Sequence, residues 1–307
     1  MPIISPESGQ DIDFFNRLQN CGAVVIDQQS AYQQDIRPAR IGLLNLMPAS
    51  VMEATELRWL RFISHTVLQV EPVLLKFDND CREQSTSRRK SILERYQPLS
   101  TVVNEGLDGL IITGDNQELR NDGTVQQYDE LLYSANLRKV IDWADDNVNA
   151  TIFSCLAGHF ALNHRYGLSR EFGEQKILGV YDHQMVGESP ITFAMDDSIK
   201  APHSRWGSIT AEQVSGAGVE VLATNENVGW LIAEATNAYG NTSTYLQGHP
   251  EYWRSDLHDE YVRDMQTIPE NYYPNDDPTK TPILLWSNDA RSLLSNWIQR
   301  IYTNYST

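Results

Sequence analysis

The patterning of this chain predicts an α/β fold, with a mostly parallel sheet covered by helices on both faces, and three observations carry that prediction. Short, continuous apolar runs recur at IGLLNLM (41–47), VEPVLLKF (70–77), GLDGLIITG (106–114) and ATIFSC (150–155), as expected of strands buried on both faces. Helix-periodic stretches alternate with several of them, the arrangement of βαβ units. The 307 residues include 41% hydrophobic side chains, enough for a large core. No internal repeat divides the chain, so one domain over 36–307 is expected, preceded by a polar arm over 1–35 lying across the body or a partner subunit.

Within the arm, DFFNRL reads as a short helix and QQSAYQQDIRPAR as a loop. Pro48 ends the strand at 41–47. From Glu53 to His65 the apolar residues Leu57, Leu60, Phe62 and Ile63 fit one face of an amphipathic helix. The charged stretch from Asp78 to Leu99 reads as an excursion from the core. Asp115 and Asn116 form a turn after the third strand, and 126–147 is helical. ATIFSC runs into a second helix, LAGHFALNHRYG, which Gly167 closes. Beyond 170 short strands follow at LGVYDHQM, VEVLAT, VGWLIAEA and STYLQGH, then helices near 254–266 and 288–304 around NYYPNDDPTKTP. Trp286 and Trp297 are assigned to core or subunit packing.

Charge and composition exclude several functions. Lys plus Arg number 24 against 41 Asp plus Glu, a net charge of −17. Such a chain lacks the cationic surface that sequence-independent binding to nucleic acid or anionic membrane requires. No apolar run approaches the ~20 residues of a membrane span, and MPIISPESGQDIDFF has no signal-peptide pattern. Cys21, Cys81 and Cys155 form no CxxC pair, which points away from disulfides and cysteine zinc sites. A soluble, cytoplasmic protein is expected. No Walker loop or GxGxxG appears.

Cys155 stands where an apolar strand gives way to a helix. Helix N-terminal N–H groups there favour a thiolate, and the Leu156 N–H is placed to bind an oxyanion. Ala157 and Gly158 allow close packing at the turn. A buried, inert cysteine fits the same position, whereas Cys21 and Cys81 have no such junction. His249 and Glu251 in QGHPEY are two apart in an extended segment and face one side. The carboxylate could fix the imidazole tautomer for a base; a loop histidine beside a solvated glutamate is the competing reading. APHSRWG places His203, Ser204 and Arg205 together in a loop, where an arginine fork suits a substrate carboxylate or simply faces solvent. His159 is expected near the site, His183 is read as structural, and the spacing of five between His159 and His164 is poor for shared metal ligation.

In order, IGLLNLMP, DGLIITG, the Cys155 junction, LGVYDH, APHSR, GHPEY and NYYPNDDP resemble the homoserine O-acyltransferase family, with its class I glutamine-amidotransferase-like (flavodoxin-like) fold. The resemblance spans roughly 35–300. It implies a Cys155–His249–Glu251 triad: Cys155 takes an acyl group from acyl-CoA, His249 is the base, and Glu251 orients it. It also implies that Lys176, Ser204 and Arg263 contact a hydroxy-amino acid, with Arg205 adjacent for its carboxylate. A homodimer is implied, and no metal or bound cofactor, acyl-CoA being a substrate.

The family's loop after the third strand reads T-G-A-P-x-Glu with acetyl transfer and T-G-A-P-x-Gly with succinyl transfer. Here T-G-D-N-Q-E puts Glu118 at that position. Its bulk and charge would oppose a succinyl carboxylate, so acetyl-CoA is the expected donor and L-homoserine the acceptor. Departures lie nearby: Asp115–Asn116 replace Ala-Pro, Leu156 to His159 replace Trp-Ala-x-Gln, and Ala49–Ser50 replace a lysine pair in a loop two residues longer. L-serine as acceptor, succinyl-CoA as donor, an amidotransferase-like hydrolase and an inactive paralogue are the rival readings.

Overall fold

The computed structural model describes residues 3–5, 12–31, 37–66, 68–80, 93–120, 123–264 and 267–303. Cys81 and most of the 78–99 excursion lie outside them. In chain order the strands are β1 Ile3–Ile4, β2 Val25–Ile26, β3 Ala39–Leu44, β4 Val70–Lys76, β5 Gln97–Pro98 and β6 Gly109–Ile112. They continue with β7 Ala150–Ser154, β8 Glu171–Met185, β9 Ser198–Ser208, β10 Glu220–Asn225, β11 Gly229–Thr236 and β12 Thr242–Leu246. All join one sheet, ordered β2-β1-β4-β3-β6-β7-β12-β11-β10-β8-β9, with β5 beside β4. Pairing is parallel from β2 to β12 and antiparallel from β12 to β9.

Strand alternation divides the core into two layers. Ile41 and Leu43 of β3, Ile111 of β6, Ile152 of β7 and Leu246 of β12 face one side, against the helices Ile12–Asn20, Met52–Ile63 and Ser287–Thr303. Leu44, Leu110, Ile112, Phe153 and Tyr245 face the other, against Leu99–Glu105, Ser134–Asn147, Leu156–Tyr166 and Ala211–Gly216. Trp286 and Trp297 are fully buried within the chain itself.

Two expectations are corrected. The described part of the first thirty-five residues is not an arm: β1 pairs with β2 and β4, and Phe14 and Leu18 are buried in the core. The DFFNRL helix is amphipathic, and burying its apolar face outweighs the polarity of its surroundings. Likewise APHSRWG is no loop. It forms most of β9, paired antiparallel with β8, and the partner strand satisfies its backbone groups.

Candidate active site

Loops at the C-terminal ends of parallel strands converge on one cavity, where ligands bind in open α/β sheets. Its lining includes Met47 and Ser50 after β3, Gly114 to Asn116 after β6, Cys155 after β7 and His249 after β12. The cavity measures about 730 Å³. Lys176 of β8, Ser204 and Trp206 of β9, and Glu260, Arg263 and Asp264 of the helix Asp256–Asp264 complete it.

Cys155 is 3% exposed and has φ 48° and ψ −114°. Such a positive φ is costly for a residue with a side chain. It is imposed by a turn made between two fixed elements: the Cys155 N–H donates to Leu246 O at 2.7 Å, and the His159 N–H donates to Cys155 O at 3.0 Å. Glycines make room for it. A Cβ on Gly114 would lie 3.1 Å from Cys155 Cβ, and one on Gly158 would lie 3.0 Å from Phe153 O. Leu156 is the first residue of the following helix, so its N–H is among the orphan donors at a helix start, of the kind that stabilises an oxyanion.

His249 and Cys155 line the same cavity, and the charge of Cys155 acts on the imidazole. The His249 Nδ1 lies 2.9 Å from Glu251 Oε1, so the carboxylate assigns the proton to that nitrogen and leaves Nε2 free of it in the neutral ring. Burial opposes the imidazolium, but the charges of Glu251 and Cys155 outweigh it. The His249 pKa is raised well above 6.5. The Tyr252 ring stacks on the imidazole with centroids 4.3 Å apart. This pairing can create a nucleophilic sulfur and return a proton to a leaving group.

A second group of side chains gathers on Glu260. Its carboxylate accepts from Lys176 Nζ at 3.0 Å, from Tyr252 Oη at 2.8 Å, and from Ser204 Oγ. Burial opposes the carboxylate, but the Lys176 charge and the hydrogen bonds hold its pKa below the ordinary value. Lys176 lies where the β8–β9 register breaks between Phe172 and Ile177, an irregularity that re-aims a side chain. Arg263 is on the rim, bound to Asp264 at 2.6 Å.

Glu118 is 6% exposed, accepting from the backbone N–H of Trp206 at 2.9 Å and of Gly207 at 3.2 Å, with Arg170 Nη1 3.5 Å away. Asp115 accepts from Gln117 Nε2 and Tyr133 Oη, both at 2.7 Å.

Arg205 is placed differently from the sequence expectation. It is fully buried behind the cavity and absent from its lining. Its guanidinium donates to Gly207 O at 3.1 Å, Ser208 Oγ and Val228 O; strand alternation sends it to the face opposite Ser204. His159 also lies outside the lining, buried with its Nε2 2.9 Å from Gln247 Oε1. Burial, then Arg170 and Arg205, push its pKa down to about 3. Sequence reasoning missed Glu260, Tyr252, Arg58 and Arg170. The spacing of Asp256, Glu260 and Arg263, which share a helix face, was a usable signal for Glu260; nothing local marks Arg170.

Solved structures share the architecture. A putative GMP synthase protein from Thermoplasma acidophilum matches 88% of this chain and 98% of its own, with a TM-score of 0.52 and 13% identity, which speaks to fold alone: class I glutamine amidotransferase-like. Among sequence relatives, the homoserine O-succinyltransferase of Pseudoalteromonas atlantica is 36% identical over 288 residues, covering 91% of this chain and 89% of that protein. The homoserine O-acetyltransferase of Thermotoga petrophila is 36% identical over 284 residues, covering 90% and 89%. The family model for homoserine O-succinyltransferase matches residues 6–307. With that match over nearly its whole length, the chain belongs to the homoserine O-succinyltransferase family, a family of acyl-transferring enzymes.

Proposed function

We propose that this enzyme transfers an acetyl group from acetyl-CoA to the side-chain hydroxyl of L-homoserine through a thioester on Cys155. The observation that carries the reading is the buried Cys155–His249–Glu251 arrangement opening onto a cavity that Glu118 narrows. The Cys155 thiolate attacks the acetyl carbonyl carbon, and the Leu156 N–H supports the oxyanion. The bond to the CoA sulfur breaks, and the departing thiolate takes the proton from His249. The acceptor hydroxyl then gives its proton to neutral His249 as its oxygen attacks the thioester. Cys155 leaves as thiolate, and the ion pair is restored.

At the acceptor end, Lys176, Ser204 and Arg263 are the proposed contacts. Glu260 adds a carboxylate for the ammonium group, and Arg263 on the rim suits the carboxylate better than Arg205, whose guanidinium is committed to backbone and Ser208. The reading includes a cytoplasmic homodimer needing no bound cofactor or metal.

Intact-protein mass spectrometry after incubation with acetyl-CoA or succinyl-CoA tests it, with C155A as control. The expected result is an acetyl adduct on the wild type, absent from C155A and discharged by homoserine. Discharge by serine alone would change the acceptor. A succinyl adduct in preference to acetyl would overturn the Glu118 assignment. No adduct with either donor, together with ammonia release from glutamine, would replace transfer by hydrolysis.

A further inference from the structure

Tyr252 touches both halves of the site. Its ring lies against the His249 imidazole at 4.3 Å with an interplanar angle of 22°, and its hydroxyl donates to Glu260 Oε1 at 2.8 Å. The other oxygen of that carboxylate holds Lys176 and Ser204. Tyr252 has little freedom to move. Its N–H donates to His249 O at 3.2 Å, and its carbonyl accepts from the Trp286 indole at 2.9 Å. The Arg58 guanidinium lies 5.4 Å from its ring centre, held by Asp256 at 2.7 Å.

We infer that Tyr252 is a positioning residue joining the acceptor pocket to the catalytic base: its ring fixes the plane of His249 and its hydroxyl fixes the Glu260 cluster. The two functions belong to different parts of one side chain. An electron-rich ring face stacked on an imidazolium favours that cation and restrains its rotation. A hydroxyl donating to a half-buried carboxylate fixes the orientation in which Lys176 and Ser204 are presented. An acceptor whose ammonium approaches Glu260 competes with Lys176 for Oε2, while the Tyr252 bond to Oε1 keeps the carboxylate from turning. The acceptor is thereby seated in a fixed relation to the base that removes its proton.

This role rests on the acyl-transfer reading, and the two half-reactions separate its parts. Tyr252→Phe retains the ring and loses the hydroxyl; Tyr252→Leu loses both. With Y252F, the rate of acetyl adduct formation should stay within about twofold of wild type, while the KM for homoserine in discharge rises about tenfold, the effect of one hydrogen bond to a charged group. With Y252L, adduct formation should also slow by about tenfold, because the base is no longer held. An unchanged homoserine KM in Y252F would overturn the inference, as would an equal slowing of both half-reactions in that variant. The Y252F rates decide the matter even if Y252L does not fold. Failure of the wild-type chain to form any adduct would instead overturn the acyl-transfer reading itself.

Discussion

Glu118 presents its bulk and its charge to the cavity unequally. Both oxygens are held by backbone N–H groups of β9, and Arg170 stands beside them. The ion pair offsets much of the field that would repel a second carboxylate, so on the acetyl-transfer reading exclusion of a longer, charged acyl group falls mainly to the volume of the side chain. Replacing Glu118 with Gly empties that volume and leaves the Arg170 guanidinium, itself 3% exposed, facing it without its carboxylate. The kcat/KM ratio for succinyl-CoA over acetyl-CoA should rise at least about tenfold in E118G. E118Q, which keeps the bulk, should change the ratio by less than about threefold. A larger shift in E118Q than in E118G would show that charge, and not space, sets the preference.

At the level of elements, the site depends on how tightly strand ends are packed. Gly248 joins β12 to His249, and a Cβ there would meet Leu231 Cδ1 at 2.7 Å, His203 Nε2 at 2.9 Å and Pro202 O at 2.9 Å. The last is backbone that also accepts the His249 N–H at 2.7 Å, so it cannot yield without moving His249. Gly248→Ala should cost about 1–3 kcal/mol of stability, measured by urea unfolding, and lower kcat by ~10-fold or more. Full kcat in G248A would mean that the loop carrying His249 relaxes independently of β9. The parallel strands and the Cys155 junction were legible in the sequence because apolar runs and a strand-to-helix turn are local patterns. The APHSR strand was not, since its polar residues read as a loop until β8 supplies a partner. Arg205 and Ser204 differ by one position, and only pairing decides which of them faces the cavity. Glu260 reaches the site from a helix that reads as an ordinary charged surface segment, and its burial comes wholly from tertiary contacts.

Across the whole molecule, several buried histidines make stability depend on pH. Burial, ahead of neighbouring positive charge, lowers His159 to about 3 and holds His203 well below its usual value. Burial also leads for His183, taking it to about 4 despite backbone hydrogen bonds that favour the cation. In the unfolded chain each titrates near ~6.5. Between that value and the folded ones the unfolded state binds more protons, so stability falls as pH drops through this window. The slope approaches ~1.4 kcal/mol per pH unit for each such histidine. His249 acts in the opposite sense: its raised pKa contributes stability that is full below ~6.5 and lost as pH climbs through the folded value. Urea midpoints should therefore fall between pH 7 and pH 5. His159→Gln, which sets a non-titrating amide donor opposite Gln247 in place of the imidazole, should flatten the decline, and an unaltered slope would exclude His159 as a contributor.

The sheet changes character at β12, and the site straddles that change. Cys155 and the Glu118 loop follow parallel strands, whereas Lys176 and Ser204 are carried by the antiparallel β8–β9 pair and Glu260 and Arg263 by the helix Asp256–Asp264. On the acyl-transfer reading, donor chemistry and acceptor choice thus reside on different stretches of chain. On that reading, substitutions of the side chains that β8, β9 and that helix turn toward the cavity retune which amino acid is accepted, while Cys155, His249 and Glu251 stay in place.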